Sequence, residues 1–262
     1  MTSALKTFQL LSSSDPEPFE VLNPDGNAQV LLICEHAGRA VPNALGNLGV
    51  DPEVINGHCG WDIGAGAVTR LVSEMLQTPA VLQPYSRLVI DCNRPVEASD
   101  SVPEFCDGIF IPANTDTPHR GSRIKEIFEP FQAEISHHLD TGTFLFALAI
   151  HSFTPIMNGE QRPWDIGLLF RNDTSTSERL KVHLENHGRC LNVVMNQPYQ
   201  ISDTSDWFVP HHGEARGLPH CLIEIRNDQI DTPDGQKRFA NILARAIQGL
   251  LIEERTRHGT DT

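Results

Sequence analysis

Val30-Leu31-Leu32-Ile33-Cys34 is a short apolar run that stops abruptly at the polar pair Glu35-His36. Similar runs occupy residues 88–90, 144–150 and 220–223, and they stop at Asp91-Cys92-Asn93-Arg94, His151-Ser152 and Glu224-Ile225-Arg226. Short apolar runs with polar residues at their downstream ends predict buried strands of an α/β sheet. Because ligands bind outside the carboxyl ends of such strands, we expect these polar residues to meet at one functional site.

The rest of the chain alternates between helix and strand signals. Helical apolar spacing covers residues 62–76, 122–139, 177–189 and 235–254, and short strands are predicted at 80–83, 166–170 and 192–196. Pro130 should kink or break the second of these helices. Residues 1–28 are polar and predict a loosely ordered lead-in, and residues 95–121 predict a long loop. We therefore expect a single α/β domain over residues 29–255, a three-layer α/β/α sandwich with a mixed, largely parallel sheet.

Composition restricts the partners and the compartment. The 262 residues carry a formal net charge of −14, which argues against nucleic acid or an anionic membrane surface as the main partner. The six cysteines show no C-x-x-C spacing, and a disulfide framework is not expected in a chain of this length. No signal peptide or transmembrane run is visible, so we expect a cytoplasmic protein. These patterns do not determine the oligomeric state, and a homo-oligomer is one possibility.

Two of the strand ends carry a histidine, the side chain that most often binds metals. Catalytic zinc sites take three protein ligands plus water, so His36 and His151 are predicted to be two ligands of one Zn²⁺ ion. The third ligand is open between Glu35, Asp62 and His58. Asp62 is favoured because it stands at the start of a predicted helix, although an N-cap role would explain the same position.

The strand end that follows residues 88–90 supplies cationic and amide groups. Arg87 and Arg94 bracket this run, and the planar guanidinium group suits a carboxylate or a carbonyl oxygen. Asn93 offers a directional amide donor beside them. The alternative is an ion pair between Asp91 and an arginine that fixes the loop, and both interpretations can hold together.

Glu224 lies inside an apolar strand, where a carboxylate is costly to bury unless it is paired or takes part in a reaction. Placed over a water molecule that a metal activates, it would be the general base and would then protonate the leaving amine. The alternative is a salt bridge to Arg226 or to another arginine.

With these residues the chain resembles the N-formylglutamate amidohydrolase family, over roughly residues 28–250. The family is related to zinc-dependent exopeptidases and N-acyl amino acid deacylases, so the resemblance implies a zinc-exopeptidase-like (phosphorylase/hydrolase-like) fold. It rests on Cys34-Glu35-His36-Ala37-Gly38, Gly60-Trp61-Asp62-Ile63-Gly64, Tyr85-Ser86-Arg87, Asp91-Cys92-Asn93-Arg94, His151-Ser152-Phe153-Thr154-Pro155, Arg162-Pro163-Trp164-Asp165-Ile166-Gly167, Asn196-Gln197-Pro198-Tyr199, Arg216-Gly217-Leu218-Pro219 and Ile223-Glu224-Ile225-Arg226-Asn227-Asp228.

The resemblance also implies roles for individual residues. The H-x-x-E ligand pair common among the relatives is absent, because Arg39 stands where the glutamate would be, and this leaves the third metal ligand unsettled. His212 could reach the site from a loop as a transition-state donor, with an exposed polar loop residue as the alternative. The other implied roles are metal binding by His36 and His151, carbonyl polarisation by Arg87, binding of a substrate carboxylate by Asn93 and Arg94 with Arg226 nearby, and general base catalysis by Glu224.

The expected activity is metal-dependent hydrolysis of the N-formyl or N-acyl amide of an acidic amino acid. The expected substrate is a small anion, N-formyl-L-glutamate, which would give L-glutamate and formate. A carboxypeptidase-like or cell-wall-peptide amidase on the same zinc scaffold is the nearest alternative, and the segments 95–121 and 155–165 would decide it. A non-catalytic ligand-binding protein is a further alternative, and it predicts binding without turnover.

Overall fold

The computed structural model describes residues 8–115, 119–257 and 259. Within these residues one seven-stranded sheet and two short hairpins account for the strands. The strands are β1 (Glu20–Leu22), β2 (Val30–Cys34), β3 (Ala80–Leu82), β4 (Phe105–Cys106), β5 (Ile109–Phe110), β6 (Phe146–Phe153), β7 (Ile156–Met157), β8 (Glu160–Gln161), β9 (Ile166–Leu169), β10 (Val193–Met195) and β11 (His220–Arg226).

The large sheet has the order β1-β3-β2-β6-β11-β9-β10. Its four central strands, β3, β2, β6 and β11, are parallel, so their carboxyl ends lie at one edge. β9 runs antiparallel to β11 and pairs with β10 in parallel, while β1 closes the other side as an antiparallel edge strand. The expected mixed, largely parallel sheet is confirmed.

Helices cover both faces of this sheet. The two faces of β2 show why, since Val30, Leu32 and Cys34 pack into one apolar core, whereas Leu31 and Ile33 pack into another. The first core lies under α2, α5 and α6, and the second lies under α4, which confirms the three-layer α/β/α sandwich. The helices are α1 (Pro52–Asn56), α2 (Ala65–Leu76), α3 (Arg120–Arg123), α4 (Glu129–Thr141), α5 (Thr174–His187) and α6 (Pro233–Arg257).

One predicted strand is wrong. Residues 88–90 are buried as expected, but they form a turn. Side chains take the place of a strand partner here, because the carbonyl of Leu88 accepts a hydrogen bond from Asn114 and that of Val89 accepts one from Arg123. The apolar run therefore contributes to the core without joining the sheet.

Two further expectations need correction. The lead-in is not loose within residues 8–28, because it supplies β1 and the buried side chain of Leu10. Pro130 does not end its helix. A π-helical segment (Ile124–Phe128) joins α3 to α4 just before the proline, and the helix continues to Thr141.

Cys59 and Cys106 form a disulfide, contrary to the expectation from length. It links the loop before Asp62 to β4, within the predicted long loop 95–121. Cys34, Cys92 and Cys221 are buried thiols. No helix in the described part of the chain combines the length and the apolar character that a membrane span requires.

Candidate active site

Three predicted residues meet where the parallel strands end. His36 follows β2, His151 lies near the end of β6, and Glu224 lies in β11 directly opposite His151 in the strand register. All three line a cavity of about 480 Å³ at this edge. The crevice outside the carboxyl ends is therefore occupied by the side chains that the sequence pattern indicated.

Three potential ligand atoms face one another in this cavity. The Nδ1 atoms of His36 and His151 are 3.1 Å apart, and Asp62 Oδ2 lies 3.3 Å from the first and 2.9 Å from the second. All three side chains are buried. Two imidazole nitrogens and one carboxylate oxygen form a donor set that suits Zn²⁺, so the residues fit a single divalent ion.

Asp62 reaches this cluster through the turn that precedes α2. Its backbone N–H donates to the carbonyl of His36, and its Oδ2 accepts a hydrogen bond from the backbone N–H of Ser152. The N-cap of α2 is Gly64, with a positive φ of 82°, so the alternative N-cap role for Asp62 is wrong. A Cβ atom on Gly64 would also lie 2.2 Å from the carbonyl oxygen of Ile230.

Two outer carboxylates orient the histidines. His36 Nε2 donates to Asp91 Oδ1 at 2.7 Å, and His151 Nε2 donates to Glu35 Oε2 at 2.9 Å. With the proton on Nε2, each Nδ1 lone pair is free to face the ion site, as in the carboxylate–histidine pairs of metal sites. Glu35, one of the three candidates for third ligand, thus orients the candidate ligand His151 by a hydrogen bond instead.

Arg87 links the two aspartates of the site. It donates to Asp91 Oδ2 from Nη2 at 2.6 Å and to Asp62 Oδ1 from Nη1 at 3.3 Å. Burial would raise the pKa of Asp91, but the charge of Arg87, helped by the hydrogen bond from His36, outweighs this and holds that pKa well below its usual range. The predicted pair between Asp91 and an arginine is present.

Glu224 is a buried carboxylate that lines the cavity. Its Oε2 is buried and has no hydrogen-bond partner among the described residues, and Arg226 pairs with Asp165 and Asp228, so the alternative salt bridge to Arg226 does not form. Burial raises the pKa of Glu224 to about 7, with His151 lowering it and Asp62 raising it further. A carboxyl group that exchanges its proton near neutral pH and faces a cavity is suited to general acid–base chemistry.

Comparison with known proteins identifies the family. A sequence profile described as N-formylglutamate amidohydrolase matches residues 28–230, which is more than half of the chain. The chain belongs to the N-formylglutamate amidohydrolase family. No curated protein shows significant sequence similarity to it.

Two solved structures illustrate the family likeness. The crystal structure of a gene product from Agrobacterium tumefaciens is 33% identical, with a TM-score of 0.88, and the match covers 94% of this chain and 100% of that one. The N-formylglutamate amidohydrolase from Ralstonia eutropha JMP134 is 21% identical, with a TM-score of 0.66 and coverage of 93% and 100%. The second likeness shows the fold.

Asn93 and Arg94, expected to bind the substrate, both line the cavity. The Asn93 side chain is engaged, because it donates to Asp206 and accepts from the backbone N–H groups of Trp207 and Phe208. Arg94 donates from Nε to Asp100 and from Nη1 to two carbonyl oxygens, and its Nη2 has no partner within the described residues. Arg94 is thus the better placed of the two to hold a substrate anion.

Two predicted site residues do not reach the cavity. His212 is neither a cavity residue nor an exposed loop residue, since it is buried with Nε2 donating to Gln132 Oε1 at 2.7 Å. Arg226 turns away at the end of β11, where it pairs with Asp228 and contacts the carbonyl of Trp164. Neither role predicted for these residues agrees with their positions.

The sequence patterns did not indicate Asp206 as a site residue, and they offered His58 for a ligand role that its position does not support. Asp206 lines the cavity and accepts hydrogen bonds from Asn93 and Val209, and burial raises its pKa to about 6. Nothing in its local sequence, Thr204-Ser205-Asp206, distinguished it from a loop aspartate. His58, the remaining candidate for third ligand, hydrogen-bonds Asp107 at the cavity mouth and lies outside the His36, Asp62 and His151 cluster.

Proposed function

We propose that this chain is a zinc-dependent amidohydrolase that cleaves the N-formyl or N-acyl amide of an acidic amino acid. The expected substrate is N-formyl-L-glutamate, and the products are L-glutamate and formate. The observation that carries the proposal is the convergence of His36 Nδ1, His151 Nδ1 and Asp62 Oδ2 beside a buried carboxylate. Membership of the family supports amide hydrolysis as the reaction.

His36, Asp62 and His151 would hold the ion. A bound Zn²⁺ ion supplies Lewis-acid chemistry, which polarises a carbonyl group and activates water at neutral pH. Asp91 and Glu35 keep the proton of each histidine on Nε2, so that both Nδ1 atoms stay available as ligands.

Glu224 moves the proton in this proposal. Its Oε2 accepts a proton from the water molecule that attacks the amide carbonyl, and then returns it to the nitrogen as the C–N bond breaks. The water oxygen ends in formate, and the amine leaves protonated. Burial of Glu224, which raises its pKa to about 7, suits a group that must both accept and return a proton.

Two arginines complete the site. Arg87 is pinned by Asp62 and Asp91 and lines the cavity, which places its guanidinium where it could polarise the substrate carbonyl. Arg94 Nη2 is available for the substrate carboxylate, and a charged hydrogen bond of this kind contributes about 1.5–3 kcal/mol. The proposed partner is therefore a small anionic N-acyl amino acid.

Metal analysis coupled to a formate-release assay tests the proposal. We expect one zinc ion at this site, loss of formate release on chelation, and recovery when zinc is restored. His151→Ala should lose both the metal and the activity. Full turnover by metal-free protein would refute zinc dependence, and binding of N-formylglutamate without formate release would indicate a non-catalytic binding protein.

The size of the cavity favours one second candidate. A volume of about 480 Å³ lies in the range that holds drug-sized ligands, so there is room for a substrate larger than N-formylglutamate. A carboxypeptidase-like or cell-wall-peptide amidase would use the same residues. Comparing kcat/KM for N-formylglutamate, N-formylaspartate and short acyl peptides separates the candidates, because a peptide amidase should prefer the longer substrates.

A further inference from the structure

A second group of metal-binding side chains lies at the cavity mouth, apart from the catalytic cluster. His58 Nε2 and Asp107 Oδ2 are 2.7 Å apart, and the ligand atoms of His58, Cys59 and Asp107 all lie within 4.8 Å of one another. Cys106 joins this group through its disulfide with Cys59. Four donor groups of three chemical types therefore meet at one place.

The donors come as two adjacent pairs from two loops. His58 and Cys59 precede Asp62, whereas Cys106 ends β4 and Asp107 follows it in the turn of the β4–β5 hairpin. All four residues line the catalytic cavity. A link between the two loops therefore fixes the mouth of the cavity. It also fixes the segment that leads to Asp62 of the catalytic cluster.

The disulfide is one such link, but it depends on the redox state. In a reducing compartment, thiols open accessible disulfides by exchange, and Cys106 is only half-buried. The two sulfurs freed by reduction would stay beside His58 and Asp107, whose side chains are 40% and 46% exposed and so remain open to ions from solvent. Two thiolates, an imidazole and a carboxylate are all common zinc ligands, and four protein ligands make a closed structural site.

We propose that the reduced chain binds a second zinc ion through Cys59, Cys106, His58 and Asp107, and that this ion replaces the disulfide as the link across the cavity mouth. A dithiol reductant supplies the two electrons and two protons that convert the disulfide to two thiols, and is itself oxidised to a disulfide. Binding of Zn²⁺ then releases both thiol protons and forms two zinc–sulfur bonds. The loops stay linked in either redox state.

Cobalt substitution tests this site without any activity assay. Protein is reduced with a phosphine, freed of metal and reductant under anaerobic conditions, and titrated with Co²⁺; an oxidised sample is treated in parallel. A thiolate bound to Co²⁺ gives sulfur-to-metal charge-transfer absorption in the near ultraviolet, and the catalytic cluster has no sulfur ligand. We expect this absorption, and one additional cobalt per chain, only in the reduced sample.

Variants assign the signal to its ligands. The double variant Cys59→Ser/Cys106→Ser should abolish the absorption, whereas Cys190→Ser, which removes an exposed thiol elsewhere, should keep it. His58→Ala changes a partly exposed side chain and should weaken cobalt binding by at least about tenfold. Absence of the absorption in reduced wild type, or its persistence in the double variant Cys59→Ser/Cys106→Ser, would overturn the proposal.

His151→Ala keeps this result separate from the proposed function. The variant should lose the catalytic ion and retain the charge-transfer absorption. If formate release is lost while the absorption stays, only the catalytic site is affected. If wild-type enzyme is active but shows no absorption, only the proposal of a second site fails.

Discussion

His36 Nε2 donates a 2.7 Å hydrogen bond to Asp91 Oδ1, and the opposite nitrogen of the same ring faces Asp62 and His151. Asp91 therefore sets both the tautomer and the orientation of a proposed metal ligand without contacting the ion site itself. His151 repeats this arrangement with Glu35. From the sequence, Asp91 is a candidate for an ion pair that fixes its loop and Glu35 is a candidate metal ligand. In the structure both have the same role, because each orients one histidine by a hydrogen bond.

Asp91→Asn should weaken zinc binding by about 10- to 100-fold, because the amide cannot match both the His36 contact and the Arg87 ion pair. Competition with a chromogenic chelator measures the Kd. Asp100→Asn is the matched control, since Asp100 also lines the cavity and pairs with an arginine but contacts no histidine in the described structure. Equal Kd values for Asp91→Asn and wild type would contradict the supporting role.

Glu224→Gln should lower kcat by at least about 100-fold while the zinc content stays that of wild type, because the amide keeps the shape of the carboxylate but cannot accept a proton. Formate release and metal analysis on the same sample separate the two effects. Glu214→Gln, which alters a carboxylate paired with Arg171 outside the cavity, should leave kcat unchanged. An active Glu224→Gln variant would rule out this residue as the base.

Much of the fold and half of the site follow from local sequence. The apolar runs that end at His36, His151 and Glu224 are true strands, and because these strands are parallel, their ends must meet. The length of each apolar run and the polar residues that follow it are enough to predict a buried strand and its end. This is why the two candidate ligand histidines and the candidate base could be predicted together.

Long-range contacts decide the remainder, and local patterns do not encode them. Residues 88–90 look like a strand, yet the side chains of Asn114 and Arg123 satisfy their carbonyl groups from a distant segment. The Cys59–Cys106 disulfide joins positions 47 residues apart. The missing Cβ of Gly38, two residues after His36, makes room for the backbone of Pro84, a contact that the local motif does not indicate.

Arg94→Ala should raise KM for N-formylglutamate by about 10- to 100-fold with little change in kcat, because the lost charged hydrogen bond anchors the substrate and lies away from the scissile amide. Steady-state kinetics across substrate concentrations measure both constants. Arg216→Ala removes an arginine that pairs with Asp140 outside the cavity and should leave KM unchanged. A fall in kcat alone would place Arg94 in the chemical step instead.

His212 should make the fold sensitive to acid. Burial, with smaller contributions from Arg216 and His211, lowers its pKa from 6.5 to about 3. The unfolded chain therefore binds a proton on His212 more tightly than the folded chain does. The contribution of neutral His212 to the free energy of unfolding is complete above pH 6.5 and is lost as the pH falls towards 3. His212→Gln keeps a donor for Gln132 but cannot be protonated, so its free energy of unfolding should fall about 3 kcal/mol less than that of wild type between pH 7.5 and 4.5. Urea unfolding at both pH values measures the difference, with exposed His187→Gln as the control; equal losses in all three proteins would show that His212 does not govern acid stability.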